Sequence, residues 1–417
     1  MPQKSRSIFY GWWIVAGGFI LFFFGIGLGI NTVGIFIEEI VSSMGFTRGG
    51  FSLFFTIAAV SMMFAAIVIG KLIEKFNIKI IMGVCTFLFA LGFGLYSQCR
   101  TLTEFYLTSV LMGVGSAGVH IIPVTTMVNN WFVKKRGLAT GIVFAGTGIG
   151  GLVLNPFVTW LIETNYLHKQ YGWESAFIIC GVLAGVICLP IVFFIMKKTP
   201  QEMGLLPDGN DGSANDGGAQ ISGDTVKEAV KTPEFWLVAA MALLFSLLNM
   251  GINQHLFSYF KAEVGFTASA ASMIVGGYLG MTVFGKIAIG QITDRTSLSF
   301  GISMFIAIII AGVVILINAK YLWIAVLFVV VFGFGNVIQT VVPPLVTAEC
   351  FGLLQYGLIF GIISVFMTIG SGIGTPLSGF IYDRMGSYKP AFMLYIALLV
   401  LSLLIALMAL KRARYKR

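Results

Sequence analysis

The chain has 417 residues, of which 58% are hydrophobic and only 10% are charged. A soluble domain of this length could not cover its surface with so few charges, so the composition excludes an ordinary soluble protein. The net charge of +9 does not indicate nucleic-acid binding, because the basic residues lie in short loops between long apolar blocks. The five cysteines are scattered without paired spacing, which implies neither a disulfide framework nor a metal site, and no cofactor is expected.

Twelve apolar blocks follow one another along the chain, and each is long enough for a helix to cross the hydrocarbon core of a bilayer. The predicted spans are 12–36, 48–70, 79–98, 105–129, 137–162, 174–196, 235–257, 268–291, 299–318, 321–345, 355–380 and 389–410. The first block has no small-residue cleavage site after it, so we predict a retained helix and not a signal peptide. The sequence therefore predicts an all-α membrane protein with twelve transmembrane helices.

The distribution of lysine and arginine predicts the orientation of these spans. If both termini lie on one side, that side holds eighteen of the 26 basic residues and the opposite side holds seven. An excess of basic residues marks the cytoplasmic side of a membrane protein. We therefore expect both termini in the cytoplasm and the chain in the cell membrane, that is, the inner or plasma membrane. The remaining basic residue, Lys286, lies within a span.

The one long loop, 197–232, contains a stretch rich in glycine, aspartate and asparagine that cannot bury an apolar core. We predict that this loop is a mobile cytoplasmic linker. It would join an N-terminal six-helix bundle, 1–196, to a C-terminal six-helix bundle, 233–417.

The two predicted bundles are related by an internal repeat. A shift of 220 residues aligns the sequence GFT at 45–47 with GFT at 265–267. The same offset aligns identical residues of spans four and five with spans ten and eleven, namely Pro123, Gly137, Leu138, Gly141, Ile149, Gly150 and Pro156 with Pro343, Gly357, Leu358, Gly361, Ile369, Gly370 and Pro376. Such duplicated bundles place a solute site between the halves, near the middle of the membrane.

Two of the aligned segments lie at the cytoplasmic ends of spans two and eight. Residues 70–76 read GKLIEKF and residues 290–295 read GQITDR, and both resemble the loop motif of the major facilitator superfamily. The resemblance implies the major facilitator fold of two pseudo-symmetric six-helix bundles. It also implies a cytoplasmic gate, in which a carboxylate at a helix end pairs with neighbouring basic groups. The gate residues so implied are Gly70, Glu74, Lys75, Gly290, Asp294 and Arg295, with Glu74 in place of the usual aspartate.

Two further segments resemble a narrower group within that superfamily. Residues 10–13, YGWW, are similar to the aromatic-glycine motif of monocarboxylate transporters, although the leading acidic residue is missing. Residues 131–141, WFVKKRGLATG, resemble the start of span five in the same family, and oxalate/formate antiporters have a similar segment. The physical alternatives are an interfacial aromatic belt for the tryptophans and a topology signal for the basic residues.

The charges within the predicted spans favour an anion as the solute. All seventeen acidic residues fall in predicted loops or at helix ends, whereas Lys286, His120 and, near an outer end, His255 lie within spans. A buried ammonium is costly in hydrocarbon, so it requires water, a partner or a substrate anion. A cavity with a fixed positive charge and no fixed negative charge selects anions.

Lys286 lies four residues before Gly290, about one helical turn deeper in the membrane than the loop motif. In the families that the chain resembles, a substrate-binding arginine occupies this position, so the resemblance implies that Lys286 binds the substrate. Lysine keeps the charge but lacks the planar guanidinium that grips a carboxylate with two hydrogen bonds. Monocarboxylate transporters also often carry an aspartate one turn earlier, where this chain has Thr282. The alternative is a lysine that snorkels to the cytoplasmic interface or pairs with Asp294.

Two histidines within spans are further candidate substrate ligands. His120 lies near the middle of span four, where it could bind a substrate oxygen or carry a proton. Its alternative role is that of a neutral histidine satisfied by a neighbouring helix. His255 resembles a position that lines the substrate path in the family, with an interfacial histidine as the alternative.

Uncharged amides in spans one, seven and ten complete the candidate site: Asn31, Asn249, Asn253, Asn336 and Gln339. Each could instead be a helix-to-helix contact worth about 1 kcal/mol. Asn336 and Gln339 are three residues apart and share a helix face, so they rank first. The predicted substrate-binding set comprises Lys286, His120, Asn336, Gln339, His255 and Asn31.

These observations predict a secondary active transporter of a small organic anion, a monocarboxylate of the lactate, pyruvate or formate type. Proton-linked symport is favoured because the segments at spans one and five are more similar to monocarboxylate transporters. Anion antiport and transport of a neutral or zwitterionic solute are the alternatives, and a sensor built on a transporter fold also stays open. An enzyme would need a nucleophile–base pair or a metal cluster within the spans, so we expect none. We expect a monomer in the lipid bilayer, with a carboxylate and, for symport, protons as ligands, and no nucleic-acid partner.

Overall fold

The computed structural model describes residues 9–119, 121–208, 223–352 and 354–413, without the side chains of Glu74 and Asp294. Within this part of the chain, twelve helices are long and apolar enough to cross a membrane. They are α1 (Gly11–Met44), α2 (Arg48–Ile73), α3 (Ile78–Gln98), α4 (Leu102–Trp131, which runs over His120), α5 (Arg136–Thr164), α6 (Gly172–Ile195), α7 (Pro233–Glu263), α8 (Ala268–Thr293), α9 (Leu298–Ile317), α10 (Leu322–Phe351), α11 (Tyr356–Met385) and α12 (Lys389–Arg412). The prediction of an all-α protein with twelve spans is confirmed.

The helices begin within three residues of the predicted spans, but α1, α7, α10 and α11 end five to eight residues later than predicted. Spans one and seven were expected to end at 36 and 257, whereas the helices continue to Met44 and Glu263. The added turns carry charged residues, which end the apolar runs in the sequence. Glu38, expected in a loop or at a helix end, is instead buried within α1 at 4% exposure. Ion pairs with Arg48 and Lys261 make the charges of these turns tolerable.

The spans α1, α7 and α10 each contain an irregular segment away from their ends. α1 contains a π-helical segment at Gly27–Asn31. α7 is interrupted between Asn253 and Leu256, and α10 is interrupted between Gly335 and Ile338. Non-helical backbone is tolerated at this depth only where protein covers it or where it lines a cavity. The breaks therefore mark candidate walls of a solute site.

The first six spans contact the last six along two seams, α2 against α11 and α5 against α8. Glycines allow the helices of each seam to approach closely. A Cβ added to Gly379 of α11 would lie 2.7 Å from the amide nitrogen of Gly49 in α2. In the other seam, a Cβ added to Gly148 of α5 would lie 2.8 Å from a methyl group of Val283 in α8.

The two described ends of the linker form hydrogen bonds with the last residues of α4 and α10. The backbone N–H of Asp208 donates to the Trp131 carbonyl at 2.9 Å, and that of Asp224 donates to the Phe351 carbonyl at 2.8 Å. The mobility predicted for the linker 197–232 and the division into two bundles stay predictions, and residues 209–222 of the linker lie outside the described residues. We call the end of the protein that carries the linker the inner end, which is predicted to be cytoplasmic, and the opposite end the outer end.

Candidate functional site

At the outer end, a polar network closes the α2/α11 seam. The Asp383 carboxylate accepts hydrogen bonds from the backbone N–H groups of Arg48 (2.9 Å) and Gly49 (2.7 Å). It thereby caps the N-terminus of α2, where a negative charge is favourable because the first N–H groups lack helical partners. The Arg48 guanidinium pairs with Glu38 at 2.9 Å and lies 4.2 Å from the ring centre of Tyr382 in α11. Residues of both halves thus hold this seam together.

The outer end of the α5/α8 seam is less complete. Lys261 near the end of α7 forms an ion pair with Glu39 of α1, which joins the two halves. Beside this pair lies a cavity of about 560 Å³, whose lining includes Glu163 of α5 and Ala268, the first residue of α8. Glu163 is exposed, and its carboxylate has no hydrogen-bond or ion-pair partner among the described residues. One ion pair and helix packing close this seam. The N-terminus of α8 is capped by its own Thr267, whose hydroxyl accepts from the Ala270 N–H at 3.2 Å, and by no carboxylate among the described residues of the other half.

Towards the inner end, the α2/α11 seam separates. The Thr56 hydroxyl of α2 donates to the Gly372 carbonyl of α11 at 2.5 Å. About two turns closer to the inner end, Met63 of α2 and Ser364 of α11 line a cavity of about 420 Å³ that also reaches α4. The halves are therefore joined at the outer end and enclose a cavity on the inner side.

Lys286 faces the gap between the two halves. On α8, Leu279 contacts Gly151 of α5 and Val283 contacts Gly148. Lys286 follows three residues after Val283 and seven after Leu279, so it lies on the same helix face, about one turn closer to the inner end. Its side chain is half-buried, and its ammonium has no hydrogen-bond or ion-pair partner in the described part of the chain. An amine in this position is available to an anion between the halves.

Three asparagines of α7 and α10 form a closed hydrogen-bonded ring at the break in α10. The Asn249 amide donates to Asn336 at 2.6 Å, Asn336 donates to Asn253 at 3.3 Å, and Asn253 donates to Asn249 at 2.7 Å. Each carboxamide has a second N–H and a second lone pair, so the ring leaves donors and acceptors unspent. Asn249 is buried, whereas Asn253 and Asn336 are half-buried. The ring can therefore bind polar atoms of a solute.

The ring and Lys286 lie at the same depth in the membrane. Gly285, the neighbour of Lys286 in α8, packs directly against the break in α10. A Cβ added to Gly285 would lie 2.1 Å from the Phe334 carbonyl oxygen and 3.0 Å from the Val337 side chain. Because Phe334 and Val337 flank Asn336, the lysine and the asparagine ring occupy one level of the C-terminal half. Together they form the candidate solute site.

Two other predicted ligands lie beside this site with protein partners. The Gln339 amide donates to the Ser246 hydroxyl of α7 at 3.3 Å, about one turn from Asn336 and towards the same neighbouring helix. The Asn31 amide donates to the Thr147 carbonyl of α5 at 2.8 Å, at the level of the α5/α8 contact. Gln339 therefore extends the asparagine ring, and Asn31 borders the gap from the N-terminal half.

The structure places His255 away from this site and does not describe His120. His255 is completely buried, with Nδ1 3.1 Å from the Tyr388 hydroxyl and Nε2 2.8 Å from the Thr375 carbonyl oxygen. Both ring nitrogens therefore have protein partners, and neither is left for a solute in this conformation. His120 lies outside the described residues.

The residues of the predicted cytoplasmic gate lie at the inner ends of α2 and α8. The helices that contain these spans end at Lys75 and Arg295, and both side chains are exposed. A Cβ added to Gly70 would meet nothing within 4 Å. The side chains of Glu74 and Asp294 lie outside the described residues, so the gate stays a prediction.

Sequence reasoning missed the outer closure formed by Glu38, Arg48 and Asp383. One signal could have indicated it, because residues 379–384, GFIYDR, repeat the spacing of the loop motif at 70–75. In both segments a glycine precedes an acidic residue by four positions, and a basic residue follows the acid. The pairing of Glu38 with Arg48 carries no such signal, since the two residues belong to different helices.

Twelve helices long and apolar enough to cross a membrane, together with an internal sequence repeat, are features of a membrane carrier. Residues 17–348 match the family model of the Major Facilitator Superfamily. The chain belongs to this family and is a multi-pass membrane transporter.

Several relatives agree with this assignment. The chain is 26% identical over 369 residues to the uncharacterized MFS-type transporter YhjX of Escherichia coli (strain K12), which covers 86% of this chain and 85% of that protein. It is 25% identical over 421 residues to monocarboxylate transporter 12 of Xenopus laevis, which covers 94% of this chain and 89% of that protein. The predicted resemblance to monocarboxylate transporters is thereby confirmed.

A solved structure supports the same fold. A bacterial homolog to the human lysosomal transporter Spinster, in an inward-facing and occupied conformation, superposes with a TM-score of 0.74. The alignment covers 97% of this chain and 96% of that chain at 14% identity, so the similarity concerns the fold alone.

Proposed function

We propose that the protein is a secondary active transporter of a small monocarboxylate and that Lys286 binds the carboxylate. The observation that carries this proposal is the Lys286 ammonium, which lies on the face of α8 between the halves without a partner among the described residues. A charge at that depth is costly unless water, a partner or a bound anion compensates it. The similarity to monocarboxylate transporter 12 supports the same class of solute.

The asparagine ring would bind the remaining polar atoms of the solute. Asn253 and Asn336 are half-buried and keep unspent hydrogen-bonding atoms at the depth of Lys286. Gln339 would extend this surface by one turn. Asn31 and His120 stay candidate ligands on the N-terminal half, whereas His255 is assigned to the packing of the outer end.

Transport in this proposal follows alternating access of the two halves. With the outer seams closed, a solute would reach Lys286 from the inner end. Access from the other side requires the Asp383 cap on α2 and the Lys261–Glu39 pair to break. The carboxylates of the loop motifs, Glu74 and Asp294, would then hold the inner end closed.

Proton-linked symport is the proposed mode of coupling, because the segments 10–13 and 131–141 resemble monocarboxylate transporters. A pH-sensitive dye inside vesicles that contain the protein distinguishes the modes. An imposed inward carboxylate gradient should acidify the interior if protons accompany the solute. Exchange of labelled for unlabelled carboxylate with no proton movement would indicate antiport instead.

Lys286→Gln tests the assignment of the carboxylate site. The measurement is counterflow of labelled lactate, pyruvate, formate, acetate and oxalate into vesicles that contain the wild type or the variant. The initial rate should fall at least about tenfold, because the carboxylate loses a charge-assisted contact. Lys286→Arg should retain transport, and Lys320→Gln, which removes an exposed lysine between α9 and α10, should match the wild type.

Two outcomes would contradict the proposal. Carboxylate exchange that survives Lys286→Gln would reduce Lys286 to a structural cation. If neither the wild type nor any variant exchanges a carboxylate, the solute is neutral or zwitterionic. The uncharged ring of Asn249, Asn253 and Asn336 supports that alternative.

A further inference from the structure

We infer that a groove on the outside of the N-terminal six spans binds an anionic phospholipid. The groove has a volume of about 750 Å³ and is lined by α2, α3 and α4. α4 forms its floor, because α4 packs along both α2 and α3, which contact each other little. Glycines permit this packing: a Cβ on Gly113 would lie 2.3 Å from the Ala58 carbonyl oxygen of α2, and one on Gly115 would lie 2.4 Å from the Phe89 amide nitrogen of α3.

The walls of the groove are apolar and exposed over the depth of one leaflet. Phe64 and Val68 of α2 are 61% and 56% exposed, and Ile80 of α3 is 60% exposed. The lining on the α2 side runs from Ser61 to Phe76. That distance is about 22 Å at the helical rise of about 1.5 Å per residue, against about 15 Å for half of the hydrocarbon core. Acyl chains cover such a surface in a bilayer.

Two lysines continue the lining of α2 at the inner end of the groove. Lys71 follows three residues after Val68, and Lys75 follows three residues after Leu72, so both lie on the helix face that lines the groove. Both lysine side chains are exposed. Neither ammonium has a hydrogen-bond or ion-pair partner within the described ranges.

The charge balance at this end favours an anion. In the segment 71–79, three lysines stand against the single acid Glu74, which gives a net charge of +2. The Lys79 ammonium donates to the Phe193 carbonyl at 3.1 Å, so Lys71 and Lys75 are the cations that face the groove. Basic residues at the end of a span attract anionic headgroups, by about fivefold in affinity per residue. The matching occupant is a phospholipid with an acyl chain in the groove and its phosphate at the two lysines.

A second groove of similar size provides an internal control. It has a volume of about 780 Å³ and runs between α3 and α6 to Gln98 near the outer end. The basic residue next to that end, Arg100, pairs with Glu174 at 2.5 Å. Because its charge is compensated, we expect this groove to take up phospholipids without a preference for anionic headgroups.

The test compares reporter tryptophans in the two grooves, Val110→Trp in the first and Val186→Trp in the second. The full chain is placed in phosphatidylcholine vesicles that contain brominated phosphatidylglycerol or brominated phosphatidylcholine, which quench tryptophan on contact. Fluorescence is measured relative to the chain without a reporter. We expect phosphatidylglycerol to be preferred over phosphatidylcholine by about 25-fold at the first reporter, about fivefold for each lysine, and no preference at the second.

Removal of the charges of Lys71 and Lys75 tests whether these two lysines bind the lipid headgroup. In the Val110→Trp background, the double variant Lys71→Gln/Lys75→Gln should bring the preference close to one. Lys227→Gln/Lys231→Gln removes the same charge from exposed linker lysines and should leave it unchanged. The inference would be overturned if Val110→Trp alone showed no preference for phosphatidylglycerol. It would also be overturned if the preference persisted after Lys71 and Lys75 were replaced. Weak quenching by both lipids, with a dimer mass in light scattering, would assign the groove to a second copy of the chain and also overturn it.

Discussion

The two seams at the outer end arise from one repeat but are closed in different ways. The offset of 220 residues places Ala268 in the position of Arg48, and Glu163 in the position of Asp383. Asp383 caps the N-terminus of α2 and joins the halves. Glu163 is exposed and lines an open cavity next to Ala268. The duplicated helix frame is thus shared, while the carboxylate that caps a helix of the other half is present at the α2/α11 seam only among the described residues.

The counterpart of Glu38 shows the same asymmetry. The residue 220 positions later is Ser258, so the buried ion pair of Glu38 with Arg48 has no equivalent at the second seam. There the partly exposed pair of Lys261 and Glu39 joins the halves. The two halves therefore share the packing of their helices, whereas different residues at equivalent positions make one seam a polar latch and the other a packed contact beside a cavity.

Of the substitutions at the two seams, Arg48→Met should have the largest effect, and the property it changes is the stability of the protein. The substitution leaves the Glu38 carboxylate buried without its partner, which costs about 3–5 kcal/mol of the free energy of unfolding. Thermal unfolding of the purified protein measures the loss. The double variant Glu38→Gln/Arg48→Met should recover most of it, because no uncompensated charge stays buried. A double variant as unstable as the single one would contradict the ion-pair explanation.

Asp383→Ala should have an intermediate effect, and it should change how often the outer end opens. Loss of a helix cap costs about 1 kcal/mol, so the outer end should open about fivefold more often. Distances between spin labels at Thr101 and Lys320, in outer loops of the two halves, report this opening. Glu163→Ala is the matched control at the other seam and should leave the distances unchanged. If both variants changed the distances between the spin labels equally, the proposed difference between the two seams would be wrong.

The fold was predictable from the sequence, because span length and apolar composition are local properties of each block. The ends of α1 and α7 were not, since their charges are buried or paired through contacts with residues distant in the chain. The candidate site was predictable in part. A lysine within a span is visible in the sequence, as are single asparagines, but the closed ring of Asn249, Asn253 and Asn336 depends on how α7 meets α10.

His255 shows most clearly what the sequence does not contain. A histidine near the outer part of a span suggests either an interfacial residue or a substrate ligand. Its two partners, Thr375 and Tyr388, lie 120 and 133 residues further along the chain. Only the packing of α7 against α11 and α12 brings them to the imidazole, so no local pattern indicates a buried and fully partnered histidine.

Lys261→Gln should have the smallest effect and should depend on salt. The side chains of Lys261 and Glu39 are 31% and 18% exposed, so solvent screens their attraction. Such pairs contribute about 0–1 kcal/mol, which corresponds to a change in outer opening of about fivefold at most. In the same spin-label measurement, the difference from the wild type should shrink as salt rises from about 0.05 M to about 0.5 M, because the screening length falls. An effect larger than that of Asp383→Ala would mean that the α5/α8 seam, which has no counterpart of the Asp383 cap in the described part of the chain, is the stronger closure.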